Sequence, residues 1–134
     1  MIKLEIELVP SSMWGFNLRF VLKKSQWDKI RKETYKVADY HCEICGATGK
    51  LEAHEMWGYD DDNHIQKLLG TICLCSRCHQ CKHFGRSQLV GKEKECIEHM
   101  KEVNGWTFQE VKQHIIEMTE QWNEREKHEW DLQV

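Results

Sequence analysis

At 134 residues, with 40% hydrophobic content and a net charge of −3, the chain suits one ordinary domain and cannot hold two large cores. No stretch approaches the ~18 apolar residues of a membrane span, and the first seven residues alternate charged with apolar side chains, unlike a secretory leader. A sequence pI near 6.2 lacks the overall basic signature of many nucleic-acid binders. The charge is nevertheless uneven. Lys23, Lys24, Lys29, Arg31, Lys32 and Lys36 precede the first cysteine pair, Arg77, Lys82, Arg86, Lys92 and Lys94 surround the second, and Glu117, Glu120, Glu124, Glu126, Glu129 and Asp131 gather near the end. Such a distribution can offer phosphate contacts near the middle and shield them from the acidic end.

In chain order, Ile2, Leu4, Ile6 and Leu8 alternate with Lys3, Glu5 and Glu7, the period of a half-buried strand closed by Pro10. Trp14, Phe16, Leu18, Phe20 and Leu22 recur at every second position and predict another extended segment. Ser25 with Asp28 reads as an N-cap and first-turn acid, and Trp27, Ile30, Tyr35, Val37 and Ala38 carry a helix to about residue 39. Residues 51–57 read as a strand, 58–63 as a polar loop containing Asp60, Asp61 and Asp62, and 68–74 as a second strand. A short helix over 76–84 sets His79 and His83 four apart on one face, with Gly85 as its stop. Two more helices follow: 92–103, ended by Asn104-Gly105, and 107–130, opened by the capping-box pair Thr107 and Glu110. Val111, Ile115, Met118 and Trp122 form an apolar stripe on the last, which predicts packing on the domain. No repeat or Pro/Ser-rich linker divides the chain.

The cysteines organise these elements. In Cys42-x-x-Cys45 and Cys75-x-x-Cys78 the two-residue spacing lets both thiolates of each knuckle reach one tetrahedral Zn²⁺, and two knuckles complete a closed four-sulfur site. Disulfides would need an oxidising compartment, and seven cysteines leave one over in any pairing. Zinc takes four and leaves Cys73, Cys81 and Cys96 as reduced thiols, which suits a cytoplasmic protein. The metal should then supply part of the folding free energy of the middle segment. His54, Glu55, His79 and His83 lie among the cysteines, and a histidine from a strand with another from a helix can hold a second divalent ion with open positions. An ion so held stabilises negative charge on a phosphodiester while a neighbouring base activates water.

Cys42-Glu43-Ile44-Cys45-Gly46, Leu51-Glu52-Ala53-His54-Glu55 and Leu74-Cys75-Ser76-Arg77-Cys78-His79-Gln80-Cys81-Lys82-His83 together resemble the HNH endonuclease core, the ββα-metal finger, in its four-cysteine zinc form. The strong resemblance covers about residues 42–83. Weaker similarity of Val9-Pro10, Trp14 and Val103-Asn104-Gly105-Trp106 extends to small stand-alone bacterial and phage HNH proteins. It implies a single α+β domain: N-terminal strands and a helix over 1–40, the zinc-stabilised core over 41–85 and a helical extension over 86–134. It also implies that Cys42, Cys45, Cys75 and Cys78 bind structural zinc and that His79 binds the catalytic metal. His54 stands where the family has a metal-binding Asp or His, Glu55 where it has the general-base histidine, and Gly70 where it has the middle asparagine.

A carboxylate can replace a histidine base when burial raises its pKa toward neutrality, which makes Glu55 the base candidate. Alternatively His54 is the base, with Glu55 and His79 on the metal and His83 or one of Asp60, Asp61 and Asp62 completing the shell. Carboxylate and water ligands admit Mg²⁺ or Mn²⁺, and imidazoles favour Zn²⁺ or Ni²⁺. The expectation is a metal-dependent endonuclease acting on nucleic acid, DNA foremost, with His54, Glu55 and His79 catalytic and His54, His79 and His83 at the second metal. The alternatives are a zinc-finger-like module that binds nucleic acid or protein without turnover, and a zinc or redox sensor using the spare thiols.

Overall fold

A long antiparallel hairpin, β1 (Leu51–Asp60) with β2 (Ile65–Cys75), organises the chain in the computed structural model, which describes residues 3–134. Pairing runs from Leu51 opposite Cys75 to Asp60 opposite Ile65. The strands are longer than the sequence predicts because Gly58, Tyr59 and Asp60 stay in the ladder; Asp60 then accepts the amides of Asp62 and Asn63 to form the tight turn. The register shifts between Met56 and Trp57, where Leu69 is the extra residue and Gly70 takes φ +149°. A backbone so placed at a bulge favours glycine, so Gly70 serves the bend of the hairpin.

The mixed α+β fold places helices around this sheet. Helix α1 (Leu18–Val21) and helix α2 (Lys24–Val37) precede the hairpin, and α2 docks on it through Thr34 Oγ1 against Thr71 Oγ1 at 2.6 Å. Helix α2 starts at Lys24, with Gln26 accepting the Lys23 amide at 3.0 Å, so Ser25 lies inside the first turn rather than capping it. Helix α3 (Ser76–Lys82) begins where β2 ends, with Cys75 Sγ accepting the Cys78 amide. Helix α4 (Phe84–Leu89) follows directly. Gly85 therefore does not stop a helix; the break falls at His83, whose ψ of 51° turns the chain, and buried Phe84 anchors the next turn.

Helices α5 (Glu93–Asn104) and α6 (Phe108–Glu126) are separated by Gly105 at φ +66°, a left-handed C-terminal stop, and by the Thr107–Glu110 capping box with both bonds at 3.1 Å. Helix α6 ends before residue 130 because its last turn gives way to β3 (Asp131–Gln133), which lies parallel to β2 and completes the sheet order β1-β2-β3. Val111 is fully buried, and Ile115 and Met118 pack against the main cluster of Leu4, Ile6, Ile72, Leu74, Phe84 and Met100. No helix among the described residues is long and apolar enough to cross a membrane.

Two extended segments read from alternation take other forms. Leu4 and Ile6 are buried as period two requires, but residues 3–10 join no ladder, and Ile2 lies outside the described residues. Instead Asn104 imitates a neighbouring strand: its Oδ1 accepts the Leu4 amide at 2.7 Å and its Nδ2 donates to the Leu4 carbonyl at 2.8 Å. His114 Nε2 accepts the Ile6 amide at 3.0 Å, and the Glu7 amide donates to the Lys82 carbonyl at the end of α3. The segment of Trp14, Phe16 and Phe20 instead follows a 3-10 turn over Ser11–Met13 and runs into α1, capped by Asn17 Oδ1 on the Phe20 amide. All three aromatics keep exposed surface, so their spacing marks no core face.

Replacing Asn104 with alanine should orphan two buried backbone groups and cost about 2–6 kcal/mol, at ~1–3 for each lost partner, read as a fall in the denaturant midpoint. Burial holds His114 below its ordinary 6.5, and its Nε2 must stay unprotonated to accept the Ile6 amide. The unfolded chain therefore takes up that proton first, so the stabilisation is complete above pH ~6.5 and lost as the pH falls below it. The stability advantage of wild type over His114→Leu should accordingly shrink between about pH 7.5 and 5 in paired thermal melts.

Candidate functional site

Cys42, Cys45, Cys75 and Cys78 bring one sulfur each to within 4.8 Å of all the others. A Zn²⁺ with ~2.3 Å bonds to a sulfur tetrahedron spans edges of about 3.8 Å, and Cys45 Sγ lies 3.6 Å from Cys75 Sγ. Each knuckle turns one amide onto its own first sulfur, Cys45 N to Cys42 at 3.5 Å and Cys78 N to Cys75 at 3.4 Å. Glu43 straps the first knuckle to β2, exchanging its backbone amide with the Cys73 carbonyl at 2.9 Å and accepting the Cys73 amide on its carboxylate at 2.7 Å. The donor set therefore fits a metal such as zinc.

Proton sharing among the sulfurs points the same way. A hydrogen bond from Cys78 leads the effects that hold Cys42 down to about 4, with backbone amides assisting against burial, while the same bond and burial push Cys78 up. Four sulfurs this close ionise together only around a cation. His99 of α5, 5% exposed, places Nε2 3.2 Å from Cys78 Sγ, a partner for a coordinated thiolate. A lone helical histidine offered no sequence signal for that role. Cys73, Cys81 and Cys96 are buried free thiols, and burial leads the rise of Cys73 to about 11 and pushes Cys81 upward as well. Those spare thiols lack the exposed, electropositive setting of a reactive cysteine.

A second cluster lies on the hairpin face toward α3. His54 projects from β1, His79 from α3 and His83 from the α3–α4 junction; one nitrogen of each falls within 4.8 Å of the other two. His79 Nε2 and His83 Nε2 are 3.0 Å apart, near the about 3.4 Å edge of a tetrahedron with ~2.0–2.1 Å metal–nitrogen bonds. Desolvation, with the neighbouring histidines next, holds His83 down to about 4 although its ring keeps an exposed edge. His79 is also lowered, by desolvation first and against the pull of Glu52. Neutral imidazoles are the form in which histidine ligates a metal.

Two carboxylates back these rings. Glu52, two residues before His54 and so on the same strand face, lies 2.9 Å from His79 Nδ1 and leaves Nε2 toward the cluster. Glu7 Oε2 lies 2.6 Å from His54 Nε2, with Lys82 Nζ 3.9 Å from its other oxygen. Carboxylate–imidazole pairs of this kind fix ring orientation and raise ligand basicity. Neither was singled out from the sequence: Glu7 read as the solvent side of a strand, and Glu52 carries a signal only through its spacing from His54.

Glu55 stands apart. Strand alternation turns it away from the His54 face, and its Oε1 accepts the Leu18 amide at the start of α1 at 2.9 Å. It still shares a cavity wall with Glu7 and His83. Asp60 is occupied by its own turn, and Asp61 pairs with Arg125 at 2.9 Å, so both are committed elsewhere. Gly70 contributes no side chain. The chain matches no family model, no curated protein and no solved structure in the comparisons made.

Stripping metal from the four-cysteine site with a strong chelator should abolish the cooperative unfolding transition, since structural zinc of this type contributes on the order of 10 kcal/mol; Cys75→Ser should do the same. His99→Leu should leave one metal per chain but speed its transfer to a chromogenic chelator, with affinity down about 10- to 100-fold.

Proposed function

We propose that this chain is a metal-dependent endonuclease of the HNH type, a phosphodiester hydrolase acting on nucleic acid and most directly on DNA. The observation that carries this reading is the convergence of His54, His79 and His83 on one face of a hairpin and helix whose junction is held by four cysteines. Three imidazoles with no carboxylate among them favour Zn²⁺ or Ni²⁺ over Mg²⁺. An ion held by three ligands keeps an open position and supplies charge stabilisation to a phosphodiester and its leaving oxygen.

The protein's own groups supply the rest. Glu52 and Glu7 hold His79 and His54 in ligating orientation. Arg86, on the cavity wall next to His83, is the nearby cation for a phosphate. Glu55 acts as general base from that same wall once it exchanges the Leu18 amide for water. Its present hydrogen bond is the one observation that favours the rival reading, a nucleic-acid or protein binding module without turnover.

Supercoiled plasmid incubated with the purified four-cysteine-metallated protein and added Zn²⁺, Ni²⁺, Mn²⁺ or Mg²⁺ should be nicked, and His79→Ala should abolish nicking while keeping the far-ultraviolet circular dichroism. Glu55→Gln should cost about 10²- to 10⁴-fold in rate, the usual share of a general base. Glu7→Gln should instead raise the metal concentration needed by about 10- to 100-fold. Cleavage no greater than His79→Ala in every metal would establish the binding module in place of the enzyme.

A further inference from the structure

Beside the histidine cluster a cavity of about 720 Å³ opens between the N-terminal segment, the hairpin, α4 and α6. Its walls are mixed apolar and polar, with Trp14, Phe16, Trp57 and Trp122 among them. Trp14 and Trp122, far apart in the chain, both donate their indole N–H to the Val9 carbonyl, at 2.8 and 3.0 Å. One carbonyl thus pins two large flat rings, and Trp57 from β1 adds a third tryptophan to the lining. Trp14 is 64% exposed and Phe16, on the same lining, 43% exposed, so both offer ring surface to the cavity.

The second observation is independent of the aromatics. Gln66, in the centre of the sheet opposite Tyr59, is 1% exposed and lines this cavity, yet its Oε1 has no hydrogen-bond partner. A buried amide oxygen left unpaired costs stability, and a donor brought to it would relieve that cost. A flat ring lying against the tryptophans would complete it by turning an edge N–H toward it. Glu7 and His83, on the same wall, connect the cavity with the histidine cluster.

We infer that this cavity is a nucleobase pocket: one base, unstacked from a single strand, lies against the pinned indoles and donates an N–H from its edge to Gln66, while its phosphate reaches the histidine cluster. Flat heteroaromatic rings with N–H groups at the edge and an anionic phosphate one sugar away match the three features in their observed order. Aromatic stacking selects bases in general, and a buried amide reads the edge of the one that enters. A duplex, whose bases are stacked and paired, cannot fill the pocket without extruding one. The inference rests on the nuclease reading for the role of the phosphate, and it makes single-stranded or locally opened nucleic acid the substrate class.

The test is binding to the full, zinc-loaded protein, followed by fluorescence anisotropy and indole quenching. The probes are a short labelled single strand, its fully abasic sugar–phosphate counterpart, the matching duplex, and free nucleoside monophosphates. The base-bearing strand should bind at least tenfold tighter than either the abasic strand or the duplex. Trp14→Ala, at an exposed position, should weaken it about 5- to 100-fold, the range for one lost base–aromatic stack. Gln66→Leu should weaken binding while raising the thermal midpoint, because it removes an unpaired buried oxygen; a purely structural glutamine would not give that opposition. Equal binding of base-bearing and abasic strands, or wild-type affinity in Gln66→Leu, overturns the proposal. Monophosphates binding as tightly as the strand would identify a free nucleotide as the source of the base. Running the same titrations in His79→Ala separates this idea from the nuclease. Base-dependent binding with no cleavage by wild type sinks the enzyme and leaves the pocket, whereas cleavage with base-blind binding does the reverse.

Discussion

Four cysteine sulfurs held within 4.8 Å of one another are the constraint from which the middle of this protein follows. The separation is too short for four independent thiolates, and a cation turns their repulsion into attraction. Because Cys75 is both the last residue of β2 and the cap of α3, the position of the sulfur cluster coincides with where the strand stops and the helix starts. That start fixes the helical phase of His79 and His83, and the antiparallel register opposite β2 fixes His54. The two clusters are thus linked covalently through a few residues, so that geometry at the sulfurs is passed to the nitrogens with little room for error.

The ends of the chain complete what the middle begins. Residues 3–10 have the burial pattern of a strand but lack a strand to pair with, and the amide of Asn104 and the ring of His114 take the place of a neighbouring backbone. With the Glu7 amide seated on the Lys82 carbonyl, the Glu7 carboxylate arrives at His54. The packing of α5 and α6 therefore bears directly on the chemistry of the histidine cluster, and His99, also from α5, bears on the sulfur cluster. Helices that look like a generic extension act as the mould in which both sets of ligands are held.

What could be read from the sequence was what short-range rules govern. Cysteine spacing, the four-residue step from His79 to His83, the Thr107–Glu110 box and the Gly105 stop are each decided within a few positions. Features decided at a distance were opaque. Nothing local in Glu7 distinguishes it from Glu5, and a side-chain amide acting as a strand partner leaves no period in the sequence. β3 is too short to announce itself. The aromatics Trp14 and Phe16 misled because alternation reads as an extended segment, whereas they lie between a 3-10 turn and α1 and line an open cavity. Gly85 misled because a glycine can sit in a first helical turn when its neighbour, here Phe84, is the buried anchor.

The long reach of the Leu4–Asn104 and Ile6–His114 contacts also sets an order of assembly during synthesis. All four cysteines and all three clustered histidines have emerged once residue 83 leaves the ribosome, so metal can organise the centre early. The N-terminal segment, though made first, finds no partner for its Leu4 and Ile6 amides until α5 and α6 exist, because Asn104 and His114 supply them. The tryptophan-lined cavity, which takes Thr119 and Trp122 from α6, is consequently finished last. A nascent chain would therefore gather its cysteines and histidines before its cavity is closed, and translation itself would set the order in which the two are completed.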